Sequence, residues 1–177
     1  TPGAASPVFI YDQSPTNALG TAERNTVDID VDPAAINRPL RVTLVWTDPP
    51  GNPAAGIKLV NDLDLIVTNK EDKTIYCGNN IPAGANFNSV SDTNSLPVFD
   101  SINNVENIII PPPLSTNGYS ITVLGRNVNV NAVTANTNKV AQDYALVISS
   151  GASQVANALK IVTPQAYVSS AYTNVTY

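Results

Sequence analysis

The chain has 177 residues, of which 43% are hydrophobic and only 13% are charged, and its formal net charge is −5. This length suits one large domain or two small ones. The acidic balance argues against nucleic acid as a partner, because binding phosphates requires clustered Lys and Arg. No stretch is long enough to span a membrane, and no basic segment followed by an apolar one predicts a signal peptide, so we expect no membrane insertion.

The sequence contains no histidine and one cysteine. A Ser-His-Asp or Cys-His nucleophile system and a His-ligated metal site are therefore excluded. Cys77 cannot form a disulfide within the chain, and we predict that it is a small buried apolar residue.

Short segments that alternate apolar and polar residues predict a chain of β-strands. Fourteen prolines and nine glycines separate these segments. The pattern favours a β-sandwich or a β-barrel. Residues 78–96 form a long loop, which indicates either function or disorder, and residues 153–160 are compatible with one or two helical turns. The predicted strands are 8–11, 26–31, 40–47, 62–67, 74–77, 105–110, 119–124 and 143–149, with an irregular strand and loop over 126–139.

Two of these strands carry the most apolar inward faces, and the only tryptophan lies on one of them. Core packing of this tryptophan is favoured over sugar stacking. We expect the two strands to contribute to the inner face of one sheet through Leu40, Val42, Leu44, Trp46, Leu63, Leu65 and Val67.

The same two strands carry acidic residues that suggest a metal site. Asp62 and Asp64 are two residues apart on one strand, so they share a face and lie roughly 7 Å apart. Asp48 follows the other strand, and if the two strands pair, the three carboxylates meet at one rim. Oxygen ligands of this kind suit Ca²⁺, which takes six to eight of them. Further oxygens could come from Asn61, Asp100, Asn103, Asn104 and Glu106.

Other interpretations of these acidic residues are open. Asp62 and Asp64 could be solvated residues of a half-exposed strand, or one of them could cap a turn or accept backbone N–H groups. A glycosidase carboxylate pair is formally possible, but the sequence indicates no aromatic-lined cleft beside it. Asn174 begins an N-glycosylation sequon, which matters only in a eukaryotic secretory pathway.

Four segments in order resemble the signature of a known module. They are 40–50 (LRVTLVWTDPP), 60–67 (VNDLDLIV), 100–106 (DSINNVE) and 143–149 (DYALVIS). They are similar to the C-terminal β-sandwich that follows the catalytic domain in secreted, mostly microbial, subtilisin-like serine proteases. That module is similar to the P-domain of proprotein convertases and has a jelly-roll, galactose-binding-domain-like fold. The resemblance implies a module over residues 10–150, with a leader or linker at 1–9 and an extension or linker to a following domain at 151–177.

The resemblance also implies a function. In this group the sandwich is a secreted, extracellular accessory domain without a catalytic triad; it packs on the subtilisin-like catalytic domain of the same parent chain and stabilises it, often with bound calcium. The chain itself is then not an enzyme. By matching motif positions, the expected calcium ligands are Asp48, Asn61, Asp62, Asp64, Asp100, Asn103, Asn104 and Glu106.

Two alternative functions are considered. The same architecture often serves as a carbohydrate- or surface-binding module, which would require exposed aromatic side chains in a loop-lined groove. The domain could also recognise the substrate of the protease or inhibit the protease. Full-length kinetics would separate recognition, which alters KM, from stabilisation, which alters half-life.

Overall fold

A computed structural model describes residues 5–57, 59–91, 97–135, 137–151, 158–162 and 166–168. Its strands form two antiparallel sheets that pack face to face, which confirms the all-β sandwich prediction. Within the described residues, helix is limited to two three-residue 3₁₀ turns at Pro15–Asn17 and Pro33–Ala35. None of the helical segments described is therefore long and apolar enough to span a membrane. The jelly-roll assignment stays a prediction.

One sheet has seven strands and the other has four. The order in the seven-stranded sheet is β1-β10-β3-β8-β5-β6, with β11 also pairing with β3. The order in the four-stranded sheet is β2-β9-β4-β7. The strands are β1 (Ala5–Ser6), β2 (Val8–Asp12), β3 (Arg24–Val31), β4 (Leu40–Val45), β5 (Asn61–Asn69), β6 (Ile75–Cys77), β7 (Val105–Ile110), β8 (Tyr119–Val128), β9 (Ala145–Ser149), β10 (Leu159–Ile161) and β11 (Ala166–Val168).

The predicted inward residues of β4 and β5 are buried, but the two strands lie in different sheets. The prediction that they share one sheet's inner face is therefore wrong. The connection over residues 46–60 crosses from the four-stranded sheet to the seven-stranded sheet, so the two apolar faces meet across the core. Trp46 is 3% exposed and its indole Nε1 donates to Asn61 O at 2.9 Å. The prediction of a core tryptophan is confirmed.

The seven-stranded sheet includes residues on both sides of the predicted module. Leu159 and Ile161 are buried and pair with Val31 and Ile29 of β3. The helical turns considered at 153–160 fall mostly on residues 152–157, outside the described ranges, and residues 159–160 belong to strand β10. The division into 1–9, 10–150 and 151–177 stays a prediction.

The outer edge of β7 is covered by the loop that follows β6. The backbone N–H of Asn107 donates to Asn79 Oδ1, and the backbone N–H of Asn79 donates to Asn107 O, at 2.9 Å each. Likewise, the backbone N–H of Ile109 donates to Asn88 Oδ1 at 2.7 Å, and the backbone N–H of Asn88 donates to Ile109 O at 3.0 Å. Residues 92–96 of the predicted loop lie outside the described residues. The described part of this loop, residues 78–91, thus covers the edge of β7, where Asn79 and Asn88 make the hydrogen bonds that a neighbouring strand would otherwise make.

Candidate functional site

The alternation of β5 places two carboxyl groups on the outer face of the seven-stranded sheet. Leu63 and Leu65 point into the core, so Asp62 and Asp64 point the opposite way. An outer face normally meets water, yet Asp64 is 0% exposed and Asp62 is only partly exposed. The residues that cover these carboxyl groups define the candidate site.

Arg126 reaches the two carboxylates because of a β-bulge. Asp62 pairs with Asn127 and Leu63 pairs with Gly125, so Arg126 is an extra residue on β8. A bulge adds local twist and redirects a side chain. Gly125 has no side chain to oppose this geometry, and a Cβ there would overlap the backbone carbonyl of Gly20.

The Arg126 guanidinium contacts both aspartates. Its Nη2 lies 3.0 Å from Asp62 Oδ2, and its Nε lies 3.0 Å from Asp64 Oδ2. Nη2 also donates to the backbone O of Asp100 at 3.2 Å, and the guanidinium carbon lies 5.0 Å from the Phe99 ring centroid. The contact with Phe99 is a cation–π arrangement that shields one face of the guanidinium.

Glu106 reaches the same region from the opposite sheet. Because β6 ends at Cys77, its ladder with β5 stops at Ile66. The N–H of Leu65 instead donates to Glu106 Oε2 at 2.6 Å. The neighbouring residue is Gly78, where a Cβ would overlap the Glu106 side chain. The Glu106 side chain is thus enclosed at the junction of the two sheets and is 1% exposed.

Burial changes the protonation of these groups. Desolvation raises the pKa of Asp64 to about 7, although Arg126 opposes the rise. Desolvation raises the pKa of Glu106 to about 9, opposed by the hydrogen bond from Leu65 and reinforced by the nearby aspartates. The pKa of Asp62 is also raised by burial, against the effect of Arg126. In each case loss of water outweighs the nearby stabilising group.

Asp100 is the fourth acid of the site and behaves differently. Burial acts to raise its pKa, but hydrogen bonds from Asn103, Asn79 and the N–H of Ile102 outweigh burial, so the pKa is lowered. The amides of Asn79 and Asn103 donate to Asp100 Oδ2 at 2.6 and 2.7 Å. The lowered pKa favours the ionised form of Asp100, and its carboxylate holds residues 79, 102 and 103 together by hydrogen bonds.

We call Asp62, Asp64, Asp100 and Glu106 the carboxyl cluster. Several of its oxygens are buried without a hydrogen bond in the described structure: Asp62 Oδ1, both oxygens of Asp64, and Glu106 Oε1. The 3.0 Å contact between Arg126 Nε and Asp64 Oδ2 is close, but the atoms are not aligned as a hydrogen bond. Asp62 and Asp64 thus share one guanidinium, with the carboxyl groups of Asp100 and Glu106 nearby, and the excess negative charge requires protons or another cation.

The other predicted ligands hold loops by hydrogen bonds. Asp48 accepts the N–H groups of Val60 and Asn61, at 2.9 and 2.7 Å. Asn103 donates to Asp100, and Asn104 Nδ2 donates to Trp46 O at 2.9 Å. Asp48 therefore lies at the start of β5 with backbone partners for its carboxylate.

Asn61 is the centre of a separate buried amide network. Its Oδ1 accepts the N–H groups of Asn129 and Val130, and its Nδ2 donates to Val130 O and to Gln142 Oε1 at 2.7 and 2.9 Å. Gln142 Nε2 in turn donates to Thr47 O at 3.1 Å. This network fastens the chain after β8 to the start of β5, which is a structural role.

The structure therefore brings together four of the eight predicted ligands, the carboxyl cluster, and leaves Asp48 and Asn61 in separate networks. In the described part of the chain, no three Asp, Glu, His or Cys side chains are arranged to hold one metal ion. The calcium ligand set stays a prediction. Sequence reasoning did not select Arg126 or Asn79. The chain has only nine Lys and Arg residues in total, so each is a possible partner for the acidic residues. Arg126 directly follows a glycine in a predicted strand region, and this was the available signal for it.

The raised pKa values predict how stability depends on pH. A carboxyl group whose pKa is higher in the folded state than in the unfolded state binds more protons when folded, so stability falls as pH rises between the two values. For Asp64 this interval runs from the ordinary carboxyl pKa of 3.8 to about 7, and for Glu106 it runs from 4.5 to about 9. We expect the metal-free chain to lose about 2 kcal/mol or more of unfolding free energy from pH 5 to pH 9.

The substitution Glu106→Gln tests this expectation. It keeps the shape and an oxygen for the Leu65 N–H but cannot ionise, so we expect a clearly shallower pH dependence. Urea unfolding at pH 5, 7 and 9 in a chelating buffer measures it. Equal slopes for the variant and the parent chain would show that Glu106 does not titrate in this range.

Comparison with known proteins gives three partial similarities. The chain is 50% identical over 70 residues to "Serine protease/ABC transporter B family protein tagD" of Dictyostelium discoideum, a match to 40% of this chain. It is 41% identical over 88 residues to tagB and 34% identical over 113 residues to tagA, which have the same description and source. These matches cover 50% and 62% of this chain. No protein-family profile matches the chain.

The chain spans only about 4–6% of the length of these relatives. The relatives are much larger proteins that are described as both serine protease and ABC transporter. A β-sandwich similar to short regions of such proteins is compatible with an accessory region of a protease-containing protein.

Proposed function

We propose that this chain is a non-catalytic accessory domain of a secreted, extracellular subtilisin-like serine protease, and that it packs on the catalytic domain of the same parent chain and stabilises it. The observation that carries the proposal is the 50% identity over 70 residues to a protein described as a serine protease/ABC transporter B family protein, of which this chain spans 4%. The four signature segments and the absence of histidine support the same conclusion.

A removal experiment tests this role. The parent protease and a form that lacks these residues would be compared for KM and for half-life at elevated temperature. The proposal expects a shorter half-life and an unchanged KM. A changed KM with an unchanged half-life would instead favour the substrate-recognition alternative.

The carbohydrate-binding alternative has less support. The only tryptophan is buried in the core, so it offers no stacking surface for a sugar. Reproducible binding on a glycan array in calcium-containing buffer would support the carbohydrate-binding alternative.

We further propose that the carboxyl cluster binds calcium. The fit rests on the chemistry of the donors, because unpartnered buried carboxylate oxygens are the hard ligands that Ca²⁺ takes. Arg126 opposes the proposal, since it already supplies positive charge there. When bound, calcium would supply the positive charge that the cluster lacks. In the described structure no three acidic side chains surround one point, so Asp62, Asp64, Asp100 and Glu106 would have to move closer together to hold it.

Calcium and protons would compete for the same oxygens, and this competition gives a test. Binding to the folded state alone stabilises it by about 2.7 kcal/mol at a hundredfold excess of calcium over Kd. We expect calcium to raise Tm relative to EGTA, and to raise it more at pH 8 than at pH 5, because Asp64 and Glu106 must lose their protons. Asp72→Asn, a change at an exposed turn, is the control. An unchanged Tm across millimolar calcium at both pH values would exclude the site and leave the accessory role untouched.

A further inference from the structure

The two edges of the four-stranded sheet differ in whether their outward backbone groups have hydrogen-bond partners. At the β7 edge, the outward backbone groups of Asn107 and Ile109 are paired with Asn79 and Asn88. At the opposite edge lies β2, which pairs with β9 on one side only. Edge strands usually carry charged side chains, above all lysine, or proline or a bulge that prevents pairing with another chain. β2 has the sequence VFIYD, and Asp12 at its end is its only charged residue.

The hydrogen bonds at the ends of β2 show which residues face outward. Gln13 N donates to Tyr144 O at 3.0 Å, and Ser150 N donates to Pro7 O at 3.1 Å. In an antiparallel pair, residues alternate between bonding to the neighbour and pointing away from it. Pro7 and Gln13 bond to β9, so the odd-numbered residues between them do so as well. The N–H and C=O groups of Val8, Ile10 and Asp12 therefore point away from the sheet.

Of these three residues, only Ile10 and Asp12 have outward backbone groups without a hydrogen-bond partner among the described residues. The Ser6 hydroxyl bonds to both the N–H and the C=O of Val8, at 3.2 and 2.7 Å. Within the described residues, no loop or side chain bonds to the backbone N–H or C=O of Ile10 or Asp12. Ile10 is also the large hydrophobic side chain with the greatest exposure among those described, at 74%.

We propose that β2 is an interaction edge that pairs antiparallel with β2 of a second copy of this chain, around a two-fold axis at Tyr11. Ile10 of each copy would lie opposite Asp12 of the other, and each opposing pair would exchange two backbone hydrogen bonds. The four bonds would satisfy all the open groups in both copies.

The spacing of the unpaired backbone groups on β2 favours a second copy of this chain as the strand that pairs with this edge. Two open residues at positions i and i+2 match the same two residues in an antiparallel copy, so the edge is self-complementary. The alternative register, with Ile10 opposite Ile10, would require the groups of Val8 that Ser6 already occupies. In the proposed register the two Asp12 carboxylates are not directly opposite each other, which avoids like-charge repulsion between cross-strand partners.

The test is self-association of the 177-residue chain, followed by sedimentation from about 1 μM to about 1 mM, a range that covers weak and transient interfaces. Ile10→Pro removes an outward N–H and leaves the ladder with β9 intact, since edge strands accept proline where the N–H faces solvent. Ile10→Thr is the matched control, because it removes the apolar side chain and keeps the N–H. We expect dimers of the parent chain and of Ile10→Thr, and at least a tenfold weaker association of Ile10→Pro.

Amide hydrogen exchange gives a readout that needs no variant. The Ile10 and Asp12 amides should gain protection as concentration rises, while the Phe9 and Tyr11 amides, which bond to β9, stay protected throughout. A chain that is monomeric up to about 1 mM would overturn the proposal. So would equal association of Ile10→Pro and the parent chain, or equal loss in both variants, which would assign the contact to the side chain. Protection of Ile10 and Asp12 only by an added extended peptide would assign the edge to a foreign strand and also overturn it.

Discussion

Replacing Arg126 with methionine is expected to destabilise the domain by about 2–3 kcal/mol at pH 8 in the absence of calcium. Breaking a buried ion pair from one side costs about 3–5 kcal/mol, and we reduce this figure because Arg126 is 32% exposed. The loss arises because, without the guanidinium, the buried Asp62 and Asp64 must either hold their charge unpaired or take up protons from a solution at pH 8, and both cost free energy. Methionine preserves much of the aliphatic packing, so the effect reports mainly on charge.

The same substitution should cost much less at pH 5. The pKa of Asp64 is about 7 with Arg126 present, and it rises further without Arg126, since that residue lowers it. At pH 5 the carboxyl group is then protonated and no longer needs a cation. Urea unfolding at both pH values measures the difference, and Arg41→Met, an exposed change on the four-stranded sheet, serves as the control. An equal loss at pH 5 and pH 8 would contradict this account of the cluster.

Replacing Asn61 with alanine should have the largest effect, a loss of about 3–5 kcal/mol, because buried groups left unsatisfied cost about 1–3 kcal/mol each. The N–H groups of Asn129 and Val130, together with Val130 O and Gln142 Oε1, would lose a partner. The effect should not depend on calcium or on pH between 5 and 8, since the network is uncharged.

Asn129→Ala is the matched control for this network. The Asn129 side chain donates a single exposed hydrogen bond to Val60 O at 2.9 Å, so its removal should cost less than about 1 kcal/mol. Trp46 fluorescence follows both unfolding transitions, because its indole bonds to Asn61 O. A similar cost for the two variants would show that Asn61 is not the centre of the network.

Most of the fold could be predicted from the sequence, because each strand has one face in the core and one outside. The alternation of Val27, Ile29 and Val31, for example, follows directly from this geometry. The sheet to which a strand belongs could not be predicted in the same way. An inward face looks the same in either sheet of a sandwich. For this reason the sequence predicts β4 and β5 in one sheet, although the chain passes from one sheet to the other between them.

The site was predictable in part. Asp62 and Asp64 share a face because of the strand period alone. The contribution of Arg126 depends on a bulge. The glycine before it marks the place, but the sequence does not show that one extra residue in β8 turns this side chain toward the aspartates. Asn61 looked like a possible ligand, but whether an amide binds a metal or backbone groups depends on contacts with residues some 70–80 positions away in sequence.

The most direct test of the proposed accessory role is the heat inactivation of the proposed parent protease carrying Arg126→Met in this domain. If the sandwich stabilises the catalytic domain, loss of the arginine that pairs with the carboxyl cluster should shorten the half-life of activity at pH 8, while KM and the initial rate stay unchanged. Arg41→Met should leave the half-life as it is. A protease that keeps its full half-life after this domain has been shown to melt would contradict the account.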